Sequence, residues 1–107
     1  MIAELTARLA ELAALNQTTT YGALARDLGL TGPATIARVT DALETLMEQD
    51  TAANLPLRAA LVNARNSTLP APGFFAKAAD LGQFINGTPG DFIARQRASL
   101  YLEKPDR

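Results

Sequence analysis

The run from Thr18 to Asn63, TTTYGALARDLGLTGPATIARVTDALETLMEQDTAANLPLRAALVN, constrains the fold of this chain more than any other part. It opens on three threonines, Thr18–Thr20, which favour extended backbone, and one of which should cap the helix that follows. That helix, about 21–28, buries Tyr21, Leu24, Ala25 and Leu28. Gly29 suits the left-handed position that ends a helix, and Leu30 folds back onto the core. A tight Thr31-Gly32-Pro33 turn leads to a longer helix with Pro33 at its first position, where a missing N–H costs little. Ile36, Val39, Leu43, Leu46 and Met47 repeat at helical spacing and line its inner face. Thr35, Arg38, Asp41, Glu44, Thr45 and Glu48 cover the rest. Asp50–Asn54 reads as a polar connection. Leu57–Val62, bounded by Pro56 and Asn63, reads as a short apolar strand.

The flanks extend this pattern. Ile2, Leu5, Leu9, Leu12 and Leu15 step by three or four through an amphipathic helix over 2–15, with Glu4, Arg8 and Glu11 opposite and Asn16 as its stop. Residues 64–73 are turn-rich, and Thr68-Leu69 is placed to pair back as a second strand. A helix is predicted from Gly73-Phe74-Phe75 to Leu81, stopped by Gly82. Another spans about 89–103, capped by Thr88-Pro89-Gly90-Asp91 and packing Phe92, Ile93, Gln96, Leu100 and Tyr101, before a Lys104–Arg107 tail. The chain therefore reads as one domain over 1–107, mainly α (α+β). Its short helix, turn, longer helix and strand follow the order of a winged helix-turn-helix with a small two-stranded wing.

Composition excludes several chemistries. With no cysteine and no histidine there is no thiolate nucleophile, no disulfide and no imidazole base or zinc ligand. No apolar run is as long as a membrane span, and the basic start of a signal peptide is missing, so a cytoplasmic protein without a membrane partner is expected. Ten basic and eleven acidic residues give a net charge of −1. Phosphate contacts supply most of the affinity of DNA binders, so this balance counts against strong solitary binding.

The candidate contacts cluster along the central run. Thr20, Tyr21 and Gly22, at a helix start, are placed to meet a phosphate through backbone N–H groups, with the Tyr21 ring as a second contact or as core. Pro33, Thr35 and Arg38 open the second helix, whose start reads either as a solvent face or as a major-groove surface from which Arg38 reaches a guanine edge. Asp41, Glu44 and Glu48 would repel phosphate further along. Asn63, Arg65 and Asn66 read either as the polar tip of the wing, with Arg58 adding charge to the same side, or as an ordinary hairpin turn, which such composition makes anyway. A positive strip joining Arg26, Arg38, Arg58 and Arg65 would favour double-stranded DNA as partner. Arginines paired with acids, or an exposed phenylalanine near Phe74-Phe75, would favour a protein. Arg95 and Arg97 read as a solvated helix face.

The Thr20-Tyr21-Gly22 helix start, the Gly-Pro turn, the ARVTDAL helix and LPLRAALVN together resemble the DNA-binding domain of O6-alkylguanine-DNA alkyltransferases and the alkyltransferase-like proteins. The resemblance covers residues 1–75. It implies a tyrosine against the DNA backbone. That family carries its reactive cysteine in a Pro-Cys-His-Arg segment, where this chain has Pro56-Leu57-Arg58, and Leu57 cannot accept an alkyl group. Alkyltransferase-like proteins lack the cysteine and push a base from the stack with a recognition-helix arginine. Ala37 stands at that place here, and Arg38 is one residue late, about 100° around the helix. The chain also resembles small winged-helix domains associated with restriction endonucleases, through Tyr21–Ala25, Leu55–Asn63, Pro70–Phe74 and Asp91–Leu102.

The carboxylates Asp27, Asp41, Glu44, Glu48 and Asp50 show no metal-ligand or nuclease spacing, and there is no glycine-rich phosphate loop. No enzyme activity, cofactor or metal is expected. Two readings follow: a non-enzymatic DNA-binding module of alkyltransferase-like type, or a protein-interaction module on the same fold, such as a nuclease accessory or small regulator.

Overall fold

The computed structural model describes residues 1–102, so the expected tail and the last residue of the final helix lie outside the described part. The elements in order are α1 (Ile2–Ala14), β1 (Thr19–Thr20), α2 (Tyr21–Asp27), α3 (Thr35–Ala52), a 3₁₀ segment (Arg58–Leu61), β2 (Val62–Asn63), α4 (Pro72–Asp80) and α5 (Pro89–Leu102). The molecule is mainly helical with a two-stranded sheet.

The 3₁₀ segment lies at the centre, packed against α1, α3 and α5. Leu57, Ala59, Ala60, Leu61 and Val62 are all buried. The strand expected over Leu57–Val62 is therefore mostly a 3₁₀ turn, and only Val62 remains in a strand. The reason is hydrogen bonding. A buried segment ringed by helices has no neighbouring strand to satisfy its backbone. The tight turn pairs Ala60 N–H with Leu57 O at 3.0 Å, and side chains take other groups. Gln96 Oε1 accepts from Leu57 N–H at 2.8 Å, Asp50 Oδ2 from Arg58 N–H at 2.9 Å, and Arg97 Nε donates to Ala60 O at 2.9 Å. The alanines let the surrounding helices approach closely.

The sheet also differs from the expected wing. Its strands are β1 and β2, parallel, with Thr19 opposite Val62 and Thr20 opposite Asn63. Thr68-Leu69 is not a strand; the turn over 64–69 closes with one ladder-like bond, Ala64 N–H to Leu69 O at 2.8 Å. β2 turns its edge to β1 because Thr19-Thr20 is extended immediately before α2 and is held there by that helix.

Helix ends follow local chemistry. Thr20 caps α2, accepting from Ala23 N–H at 3.1 Å, and Thr88 caps α5, accepting from Asp91 N–H at 3.1 Å. Four helices stop at a left-handed residue, Asn16, Gly29, Asn54 or Gly82. In each, the next amide reaches back to a carbonyl five residues earlier, as in Leu30 N–H to Ala25 O.

Four expected placements change. Pro33 is in the turn, not in the helix, because Ala34 takes a left-handed conformation (φ 61°) and α3 begins at Thr35. α3 continues through Asp50, which is buried and helical rather than part of a polar connection. Leu15 and Ile36 are exposed. Leu15 follows the last helical residue of α1, and Ile36 lies one turn beyond the part of α3 that meets the core. Phe74 and Phe75 are both covered: their rings stack edge-on at 5.2 Å, and Phe84 sits against Phe75 at 5.6 Å and Phe92 at 4.9 Å. No helix among the described residues is long and apolar enough to cross a membrane.

Candidate nucleic-acid interface

The start of α2, the start of α3 and the loop after β2 enclose a groove of 760 Å³. One wall is Thr20, Tyr21, Gly22, Ala23 and Arg26 of the β1–α2 segment. The other is Ala64, Arg65 and Asn66, with Ile36 and Ala71 completing the lining. β1–β2 pairing brings the two walls together, since Thr20 and Asn63 are register partners and each leads directly into one wall.

Tyr21 anchors the site. It is half-buried, and its hydroxyl accepts from Ala71 N–H at 3.3 Å. Burial raises its pKa above the ordinary 10.0, the Ala71 bond acts in the opposite direction, and the Glu44 charge adds to the rise. The ring packs against the core and also lines the groove. Gly22 leaves the wall at backbone level. A Cβ there would meet nothing nearer than Arg26 Nη1 at 3.9 Å, so packing does not demand glycine.

The charges are sorted by pairing. Arg8 bonds Glu11 at 3.1 Å and Asp27 at 3.0 Å, which raise its pKa, Glu11 most. Lys77 meets Glu48 at 2.6 Å, and that contact raises its pKa. Arg58 meets Asp50, so the predicted strip loses it. Arg26, Arg38, Arg65 and Arg95 are exposed and make no ion pair among the described residues. Asp27, the acid beside Arg26, is held by Arg8, and Glu48 is held by Lys77.

Of the ten predicted contacts, Thr20, Tyr21, Gly22, Arg65 and Asn66 line the groove together. Pro33, Thr35 and Arg38 sit at the start of α3 outside its lining; the Thr35 hydroxyl donates to Gly32 O at 2.6 Å. Arg38 lies about 200° around the helix from Ile36, on the other flank. Asn63 is buried, donating to Thr18 Oγ1 at 3.3 Å and accepting from Arg97 Nη2. Arg97 is no solvated face: its guanidinium bonds three neutral oxygens, and burial lowers its pKa while nearby Tyr101 acts the other way.

Sequence reasoning missed Ala23, Ile36, Ala64 and Ala71 as lining residues. Ile36 fits the helical stripe so well that periodicity alone assigns it to the core, and Ala71 carries no signal. No cluster of three potential metal ligands occurs among the described residues. Compared with family models, curated proteins and solved structures, the chain matches none of them.

Proposed function

We propose that this protein is a non-enzymatic DNA-binding module on a winged helix-turn-helix-like scaffold, with α2 and α3 as the helix pair and the 64–69 turn as a minimal wing. The observation that carries this reading is the sign of the groove. Its two charged lining residues, Arg26 and Arg65, are both cations without an ion-pair partner among the described residues, in a chain of net charge −1. Arg38 adds a third cation without an ion pair among the described residues, at the start of α3. Several carboxylates that would oppose phosphate are engaged: Asp27 by Arg8, Glu48 by Lys77 and Asp50 by Arg58.

Two or three phosphate contacts give weak binding, so affinity in the range of about 10⁻⁴–10⁻⁶ M at physiological salt is expected. The test is binding to mixed-sequence duplex DNA over a salt series, comparing the native protein with the Arg26→Ala/Arg65→Ala double variant. Each lost phosphate contact lowers the log–log salt slope by about 0.9. The double variant should lose about two such steps. Absence of binding by the native protein at low salt ends this reading.

A protein-interaction module is the second reading. It is favoured by Ile85 and Leu102, which are 81% and 86% exposed, and by Ile36 within the groove. Such apolar exposure suits a protein surface better than a phosphate chain.

A further inference from the structure

The 64–69 turn has few bonds of its own. Ala64 N–H reaches Leu69 O, Ser67 N–H reaches Ala64 O at 3.1 Å, and Leu69 N–H reaches Ser67 Oγ at 3.0 Å. Asn66 sits in left-handed backbone at the tip (φ 56°). Yet this turn holds the arginine and the asparagine that make one wall of the groove.

A single side chain from α5 grips both ends of it. Arg97 Nη2 donates to Asn63 Oδ1 at the entry, and Nη1 donates to Thr68 O at the exit, 3.1 Å. Nε donates to Ala60 O at 2.9 Å, tying the same plane to the buried 3₁₀ segment. None of these acceptors is charged, and Arg97 makes no ion pair among the described residues. Its charge is therefore not needed to neutralise an acid. What the three acceptors require is a planar fork with donors in fixed directions, which lysine lacks.

We infer that Arg97 is a positioning residue for the groove: it fixes the 64–69 turn, and so places Arg65 and Asn66 opposite Arg26. Its role in affinity rests on the DNA-binding reading, whereas its role in ordering the turn does not.

The experiment uses Arg97→Lys and Arg97→Met with two readouts. The first is amide hydrogen exchange on the free protein at Ala64, Ser67 and Leu69, with Leu43 and Leu46 of α3 as reference. Loss of bonds from a charged donor should speed the turn amides by on the order of tenfold in both variants while the α3 amides hold. Unchanged turn amides, or equal acceleration throughout, overturns the proposal. Should Arg97→Met fail to fold, Arg97→Lys supplies the same comparison.

The second readout is DNA affinity in a cycle with Arg65→Ala. Positioning predicts that Arg97→Lys weakens binding although it keeps the charge, and that it adds little once Arg65 is gone. Rescue of affinity by lysine, or full additivity, assigns Arg97 a charge role only and overturns positioning. If the native protein binds no DNA, the DNA-binding reading fails by itself and the exchange result still decides the role of Arg97 in the turn.

Discussion

Asp50 and Arg58 form a closed pair across the junction between α3 and the 3₁₀ segment. The Asp50 side chain is 1% exposed, its Oδ1 lies 2.8 Å from Arg58 Nη2, and its Oδ2 accepts the Arg58 backbone N–H at 2.9 Å. One carboxylate thus satisfies both the side chain and the backbone of the residue that enters the central segment. Arg58→Ala strands a buried charge, for which the cost is about 3–5 kcal/mol. Urea unfolding of Arg58→Ala measures it, and a loss below about 1 kcal/mol, the range of surface pairs, refutes the assignment.

Tyr21 gives the stability a pH dependence on the alkaline side. Burial raises its pKa in the folded state above the ordinary 10.0, so the folded protein holds the phenolic proton where the unfolded chain releases it. The stabilisation is complete below pH 10 and is lost as pH climbs through the folded value. Denaturation midpoints between pH 9 and 11 should fall more steeply for the native protein than for Tyr21→Phe. Parallel curves would remove Tyr21 as the source.

Ala34 adopts left-handed backbone at φ 61° with no side-chain cap to offset it. An L-residue loses roughly 1–2 kcal/mol in that region, and glycine does not. After the added entropy of the unfolded glycine chain, Ala34→Gly should still stabilise by about 0.5–1 kcal/mol. Thermal unfolding of the variant decides this, and a lower midpoint contradicts the geometry.

Gly22 behaves in the opposite way. It is helical, and the Cβ that it lacks would make only an ordinary contact with Arg26 Nη1 at 3.9 Å. Gly22→Ala should raise stability by about 0.5–1 kcal/mol through helix propensity. If DNA lies against this wall, the added methyl group should weaken binding while the fold gains. A variant that is both more stable and an equal binder would place the ligand elsewhere.

The alkyltransferase resemblance read from the sequence would put Leu57 in the place of a reactive cysteine; Leu57 is 0% exposed and does not line the groove. A thiol placed there is out of reach of substrate. Leu57→Cys should react with a thiol reagent at a rate set by unfolding, and rapidly in urea. Fast labelling under native conditions would show the position open to solvent.

Much of the architecture was written in local sequence. The stripe Leu5, Leu9, Leu12 reads as one face of a helix, one of Thr18–Thr20 and Thr88 as caps, and Gly29 and Gly82 as stops, because each depends on neighbours within about one turn. Five of the ten residues singled out from the sequence, Thr20–Gly22 and Arg65-Asn66, line one groove. That these segments face each other was not legible.

Local sequence by itself determined which segments are helical and most of their caps and stops, that no histidine or cysteine chemistry is possible, and that the centre of the chain is apolar. Tertiary structure decided what the apolar run becomes and which charges stay free. Leu57–Leu61 carries a pattern shared by strands and buried turns, and the choice fell to Gln96, Asp50 and Arg97, which supply or take its backbone hydrogen bonds from 8 to 39 residues away. The same holds for the arginines. Arg58 and Arg65 are alike in sequence, but only one meets a buried carboxylate. Ion pairing and burial depend on distances through space, and a pattern along the chain does not encode them.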